Sequence, residues 1–516
     1  MKRREFIQNT FTGLLMPALI NGQTFSVFNQ VDTSSIADDH VLVVIQLSGG
    51  NDGLNTVIPI DKYGLYKNAR TNIAIPENKL LTIPQSNVIG LNPNMTALQK
   101  MFKEGKASII QGVGYPNPNF SHFRATDIWN SASDANQIVN NGWIGRYLAI
   151  ENPNFPTGYP NAKFPDPLAM QIGSLVSTAM QGPIQTMGMS ISNTSTFYNL
   201  VANKVETTPD TLAGKELRYL RQVASQTNLY ANVIKNAAAK VSKQSAYPDT
   251  NLAAKLKIVA QLIGGGLKTK IYFVNMTGFD THSEQVNQSD TTTGVHAELL
   301  KVLSEAISAF STDLTNLGVS KRVLGVTYSE FGRRIKSNAS GGTDHGAAAP
   351  MFMFGDLVNS DVLGNTPDIS TSPTGNDNVN MQYDFRSVYA SILANWFCLD
   401  SSYLDDVLLK NFQPLPLISG QACGNITASE PFLNEELINI SPNPFIDSTK
   451  ITFISKGGHT MIQIFDNIGR IISTPVDSKL NAGKHEITID TKNFIAGMYF
   501  ARLQNGSIQQ VKRMAK

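Results

Sequence analysis

Val41-Leu42-Val43-Val44-Ile45-Gln46-Leu47, followed at once by Ser48-Gly49-Gly50-Asn51-Asp52-Gly53-Leu54-Asn55, is the stretch on which the fold turns. A continuous apolar run rich in β-branched residues is the pattern of a strand buried on both faces. Comparable runs recur at 107–113, 271–275, 323–328 and 351–354. Helical patterns lie between them, the clearest with Leu299, Leu303, Ile307, Phe310, Leu314 and Leu317 on one face, and others over 212–241 and 252–263. Strands alternating with helices predict an α/β domain whose mainly parallel sheet is flanked by helices. In such sheets ligands bind beyond the carboxyl ends of the strands, so the residues that follow each strand carry the functional information.

Those residues are polar. The glycine-rich turn after the first strand would expose Asp52, with Asn51 beside it, and it lacks the Lys-Ser/Thr ending of a phosphate-binding P-loop. Gly278-Phe279-Asp280-Thr281-His282 follows the run at 271–275, and Asp280 and His282 can turn toward one cation. Ser329-Glu330-Phe331-Gly332-Arg333-Arg334 follows the run at 323–328, and Gly342-Thr343-Asp344-His345-Gly346 offers a second Asp/His pair. Asn119-Phe120-Ser121-His122-Phe123-Arg124 opens a helix, where free backbone N–H groups and the dipole favour an anion. Each piece has a plainer reading: Asp52 as a turn former, Ser121 as a helix cap, and the Asp/His pairs as loop hydrogen-bonders. What favours chemistry is concentration, since the chain has seven histidines and His122, His282 and His345 all fall in such motifs. His40, His459 and His485 read as structural, and His296 as a reserve ligand.

Lys plus Arg (42) nearly balances Asp plus Glu (40), which gives no broad electrostatic reason to expect nucleic acid as a partner. The chain of 516 residues exceeds what one core usually fills. Cys398 and Cys423, the only cysteines, leave two outcomes open: one disulfide formed after export, or two buried thiols. Any metal must therefore be held mainly by His and carboxylate. Residues 356–381, rich in Asn, Asp, Ser, Thr and Pro, read as a long loop.

Both ends read as addresses. Basic residues and a short apolar run (11–20) begin the chain, too short to span a bilayer. Arg3-Arg4 followed by Glu5-Phe6-Ile7 resembles the twin-arginine export signal, which implies the twin-arginine translocase as a partner and folding before export. From 438 short alternating strands at 450–454, 461–465, 485–489 and 498–503 predict a small all-β sandwich. Ser441-Pro442-Asn443-Pro444-Phe445, Ile464-Phe465-Asp466, Gly469-Arg470, Gly497-Met498-Tyr499 and the basic Lys512-Arg513 together resemble the C-terminal sorting domain of type IX secretion substrates in Bacteroidota. That resemblance implies the type IX machinery as a partner and the cell surface or medium as destination. The expected layout is an export signal (1–30), an α/β domain (38–425), a linker (426–437) and a β-sandwich (438–516).

The motifs SGGNDGLN, SHFRATDIW, GWIGRYL, TGFDTHSEQ, YSEFGRR, GGTDHG and DFRSVYASILANWF resemble, over roughly 41–399, the bacterial family called domain of unknown function 1501. That family is similar in turn to the alkaline phosphatase and sulfatase superfamily, which implies an alkaline phosphatase-like sheet and one or two divalent metal ions (zinc, manganese, calcium or magnesium). On this resemblance Asp52, Asp344 and His345 would hold one metal and Asp280 and His282 a second. Ser121 would be the nucleophile, with His122, Arg124 and Arg333 (or Arg334) completing the catalytic set. The superfamily's late histidine has no counterpart between His345 and His459, so either Glu330 or Asp384 replaces it, with Asn51 a further candidate, or the site holds one metal or none. The expected function is a secreted metal-dependent hydrolase of a phosphate or sulfate ester, with a surface glycan or lipid as substrate. Its rivals are a non-catalytic surface binding or assembly protein on the same fold, and a glycan-processing partner of another exported protein.

Overall fold

The computed structural model describes residues 18–20, 23–25, 39–194, 230–420, 422–423 and 438–516, less 456, 467–470, 482, 496 and 506–507. Most of the expected export signal, the first part of the helix expected over 212–241, the linker and Gly469-Arg470 lie outside the described residues. The chain divides into two units, Met1–Asn425 and Ile426–Lys516.

In the first unit β1 (Val41–Ser48), β2 (Ala107–Gly114), β3 (Ala169–Ile172), β4 (Gly188–Ile191), β5 (Ile271–Thr277), β6 (Val323–Tyr328), β7 (Ala349–Phe354), β8 (Val362–Leu363) and β9 (Tyr383–Asp384) form one sheet. Its order is β8-β2-β7-β6-β1-β5-β3-β4, with β9 also paired to β2. Every pairing is parallel except those of β7, which runs against β6 and β2. The mainly parallel sheet is thus as expected.

The apolar run of β1 is split by the two-residue period of a strand. Val41, Val43, Ile45 and Leu47 enter one core, Leu42 and Val44 the other, and β5 divides likewise into Tyr272, Val274 and Met276 against Ile271 and Phe273. Helices α3 (Asn251–Gly264) and α4 (Val295–Asn316) cover the first face with Leu256, Leu303, Ile307 and Phe310. Helices α1 (His122–Ser131), α2 (Trp143–Glu151) and α5 (Phe385–Asn395) cover the second with Trp129, Trp143 and Tyr389. Each fully buried Val, Leu or Ile contributes about 1.5–3 kcal/mol, so burial on two faces fixes the strand as a central one. No helix among the described residues is long and apolar enough to cross a membrane.

Of the two outcomes open for the cysteines, the disulfide is found: Cys398 and Cys423 are bonded, with Cα atoms 5.7 Å apart and a separation of 25 residues. Closing a loop of that length stabilises by about 2–4 kcal/mol through the unfolded state. The double variant Cys398→Ser/Cys423→Ser should lose that much in urea unfolding under oxidising conditions, and equal midpoints for parent and variant would count against it.

The second unit holds a three-stranded antiparallel sheet of β10 (Ile438–Ser441), β11 (Ser448–Ser455) and β14 (Gly483–Asp490). It also holds a four-stranded one of β12 (Gly458–Asp466), β13 (Ile471–Leu480), β15 (Met498–Asn505) and β16 (Ile508–Ala515). Ile451 and Ile489 from one sheet and Ile462, Ile464 and Leu503 from the other share one core, the expected sandwich. Strands β10, β13 and β16 lie outside the four expected strands, and Pro475 interrupts the alternating pattern of β13. Strand β13 lies at the sheet's edge, where a missing N–H is tolerated.

Candidate metal centre

Because β1, β2, β5 and β6 point the same way, their carboxyl ends share one edge of the sheet, and β7 begins there. The turn after β1 lets the next loops close in. A Cβ on Gly49 would lie 2.3 Å from the Asp280 nitrogen, and one on Gly50 2.4 Å from the Phe331 ring, with φ of +123° and +80°. Only glycine combines those angles with that approach. The Gly49 N–H donates to Glu330 Oε1 (2.8 Å) and the Asn51 N–H to Ser329 Oγ (2.9 Å), which joins the turn to the loop after β6.

Four residues from three loops meet at this edge. Asp280 Oδ2 lies 3.3 Å from His122 Nε2, and Asp280 Oδ1 lies 3.2 Å from His282 Nε2 and 3.1 Å from His345 Nε2. The two imidazole nitrogens of His282 and His345 are 2.9 Å apart. His122, Asp280 and His345 offer ligand atoms that all fall within 4.8 Å of one another. The opposite nitrogen of each ring faces an acceptor: His122 Nδ1 is 2.8 Å from Glu330 Oε1, His282 Nδ1 3.1 Å from Asp344 Oδ1, and His345 Nδ1 2.8 Å from the Phe120 carbonyl. A carbonyl can only accept, so His345 carries its proton on Nδ1, and the same assignment suits the other two rings. In the neutral rings the three Nε2 lone pairs then converge on a carboxylate. Such a set repels itself unless a proton or a metal cation stands among its members, and the outer acceptors are those that metal-bound histidines use. The residues present therefore fit a metal.

Burial opposes ionisation of Asp280, but the hydrogen bond and the charge of Arg333 hold its carboxyl down at about 2. Burial likewise opposes ionisation of Asp344, and the hydrogen bonds of Asn338 and His282 prevail and lower it. Burial lowers His345 despite its contacts with Asp280 and the Phe120 carbonyl. The site is open to solvent, with the Asp280 side chain 47% and that of His345 20% exposed.

Several expected members stand elsewhere. Asp52 is not exposed and does not face the histidines: it is fully buried, with Oδ2 2.6 Å from Arg70 Nη1 and accepting from Gln285 Nε2 at 2.6 Å. Asn51 is buried too, its Oδ1 taken by Thr56 and His296. Burial drops the His296 pKa to about 4, and its ring serves Asn51 and not the centre. Asp344 supports His282 from the Nδ1 side and is mostly exposed, and Glu330 plays the same part for His122 from a buried position. Arg333 is spent internally: it donates to the carbonyls of Gly49, Gly50, Phe279 and Thr343 and to Asp280 Oδ1 (2.7 Å), so it ties loops and does not face solvent. Arg124 donates to the carbonyls of Asp134, Ala135 and Gln137. Asp384 caps α5 and pairs with Arg386, so it does not replace the missing histidine. Ser121 is the exposed residue before α1, between Phe120, whose carbonyl holds His345, and His122, and its hydroxyl does not cap the helix. The sequence placed His122 among the catalytic groups and not the ligands; Arg70, which no motif flags, was passed over, and so was Gln285, although it closes the TGFDTHSEQ motif.

Fold and site together define an α/β protein with a histidine- and aspartate-lined centre at the carboxyl edge of its sheet, followed by a separate β-sandwich. More particularly, residues 223–405 match the family model described as Protein of unknown function (DUF1501), and residues 439–516 match that of a secretion system C-terminal sorting domain. The first match includes Asp280, His282, Asp344 and His345 and begins after His122, a narrower span than the resemblance suggested. The sorting domain marks the protein for export to the cell surface or for secretion. No curated protein matches the chain. Among solved structures, PorZ, a surface component of the type IX secretion system of Porphyromonas gingivalis, is similar at 16% identity and TM-score 0.13, over 19% of this chain and only 13% of that one. A Bacteroides thetaiotaomicron protein described with the metabolism of multiple glycosaminoglycans is similar at 11% identity and TM-score 0.34, over 92% and 88% of the two chains. A Vibrio parahaemolyticus protein of the alkaline phosphatase superfamily is similar at 8% identity and TM-score 0.31, over 93% and 82%.

Proposed function

We propose that the large unit is an exported metal-dependent hydrolase of a phosphate or sulfate ester, with one metal held by His122, Asp280, His282 and His345 and with Ser121 as nucleophile. The observation that carries the reading is the convergence of three imidazole Nε2 atoms on the Asp280 carboxylate beside an exposed serine. A donor set richer in imidazole than in oxygen favours zinc over calcium or magnesium. One cation rather than two follows from Asp52, whose carboxylate already has the Arg70 guanidinium as its counter-charge.

A bound cation would supply Lewis acidity and lower the pKa of a nearby hydroxyl. Ser121 Oγ would attack phosphorus or sulfur as its proton passes, by way of a water, to the departing alkoxide, and a second water would then cleave the seryl ester, releasing phosphate or sulfate and returning a proton to the serine. Arg334 is the arginine left for gripping the ester's oxygens: Nη1 donates to the Asn376 carbonyl, but the guanidinium stacks 4.9 Å over the Phe120 ring, next to Ser121, and the residue is only half-buried. A surface glycan or lipid would be the source of the ester. The type IX machinery would engage the sorting domain, and the twin-arginine translocase the Arg3-Arg4 signal.

The test is a screen of 4-nitrophenyl phosphate monoesters, diesters and sulfates with zinc- or manganese-loaded protein. Ser121→Ala should lower kcat by at least about 10³-fold while metal content stays at one per chain. Loaded protein that turns over none of these esters would favour the second reading, a metal-stabilised surface binding protein, which the withdrawal of Asp52 from the centre supports.

A further inference from the structure

We infer that Gln285, which touches none of the proposed ligand atoms, is the positioning residue that sets the spacing of the metal-holding loops; this rests on the metal reading above. Its amide is fully buried and its orientation is forced. Nε2 lies 2.6 Å from Asp52 Oδ2, and an oxygen could not sit that close to a carboxylate, so Oε1 must face the other way. There Oε1 accepts from the hydroxyls of Thr281 and Thr343, each at 3.0 Å, which uses both of its lone pairs.

Those two threonines are spaced for the task. Thr281 separates Asp280 from His282, and Thr343 immediately precedes Asp344 and His345. One amide oxygen therefore joins the loop after β5 to the loop before β7, and the 2.9 Å separation of His282 Nε2 and His345 Nε2 is measured across that same junction. The backbone zips the loops together alongside it: Gln285 N–H donates to the Gly341 carbonyl (2.9 Å) and Thr343 N–H to that of Thr281 (3.1 Å). Asp52 anchors the amide from below and is itself fixed by Arg70. The residue expected to hold a metal thus holds the glutamine that spaces the ligands.

The probe is Co²⁺ on the full chain, read by its visible absorption and by the dissociation constant from chelator competition, with the melting temperature of metal-free protein measured in parallel. Gln285→Met keeps the volume and removes the three hydrogen bonds. It should raise the Co²⁺ dissociation constant by about 10- to 100-fold and alter the Co²⁺ spectrum. If it fails to fold, the double variant Thr281→Val/Thr343→Val leaves the Gln285–Asp52 contact intact and should show the same two effects. Asp313→Asn is the control for stability alone, since the buried Asp313 serves Ser245, Gln244 and Tyr247 instead. It should lower the melting temperature without moving the Co²⁺ constant or spectrum. A folded Gln285 or threonine variant with parental Co²⁺ behaviour, or an Asp313→Asn variant that weakens Co²⁺ equally, would overturn the inference and leave the metal centre standing. Parent protein that takes up no Co²⁺ would instead end the metal reading itself.

Discussion

Asp280→Asn should leave a folded protein that binds zinc more than about 100-fold more weakly than its parent, beyond the range for loss of an outer-shell partner. The substitution keeps the shape and the acceptor that Arg333 Nη2 meets at 2.7 Å, so the loops should stay tied. What it removes is the negative charge on which three imidazole nitrogens converge. Glu330→Gln and Asp344→Asn reach the four proposed ligands only through the far nitrogens of His122 and His282, and should weaken binding by about 10- to 100-fold. Chelator competition together with elemental analysis measures all three. An Asp280→Asn protein with parental affinity would mean that this carboxylate serves Arg333 alone and that the cluster is no metal centre.

The strands were readable because their apolar runs report double-faced burial directly, and β1, β5 and β6 fall where those runs stand. The clustering of Asp280, His282 and His345 at one sheet edge was readable for the same reason, since parallel strands bring their carboxyl ends together. The partner of each carboxylate was not. Asp52 and Asp280 follow their strands in similar glycine-framed turns, yet the backbone sends one inward to Arg70 and the other outward to three histidines. Arg70 lies in a stretch with no motif, and its meaning comes from a contact that only the folded chain makes. Gln285 is harder still to foresee. It does not titrate and ligates nothing, and its role arises from hydroxyls on two loops that are far apart in the chain.

The buried Arg70–Asp52 pair carries the other large expectation: Asp52→Ala should cost about 3–5 kcal/mol of unfolding free energy. Both side chains are fully buried and 2.6 Å apart, so truncating one strands a guanidinium whose remaining partners are the carbonyls of Arg334 and Ile335 and the Asn55 amide oxygen. The pair itself is less valuable than its loss suggests, because Asp52 Oδ1 has no hydrogen-bond partner. The double variant Asp52→Leu/Arg70→Met should therefore recover much of what Asp52→Ala loses. The pH dependence has a defined sign. Burial works against ionisation of Asp52, but the charge and hydrogen bond of Arg70 prevail and hold its carboxyl below the usual range. A carboxyl depressed in the folded state contributes stability above its unfolded pKa of about 4 and loses it as pH falls through the folded value, where the unfolded chain binds the extra proton. Urea unfolding from pH 7 down to pH 3 should thus show the parent losing stability faster than Asp52→Asn below pH 4. Parallel profiles, or an Asp52→Ala variant as stable as its parent, would remove Asp52 from the foundation of the site.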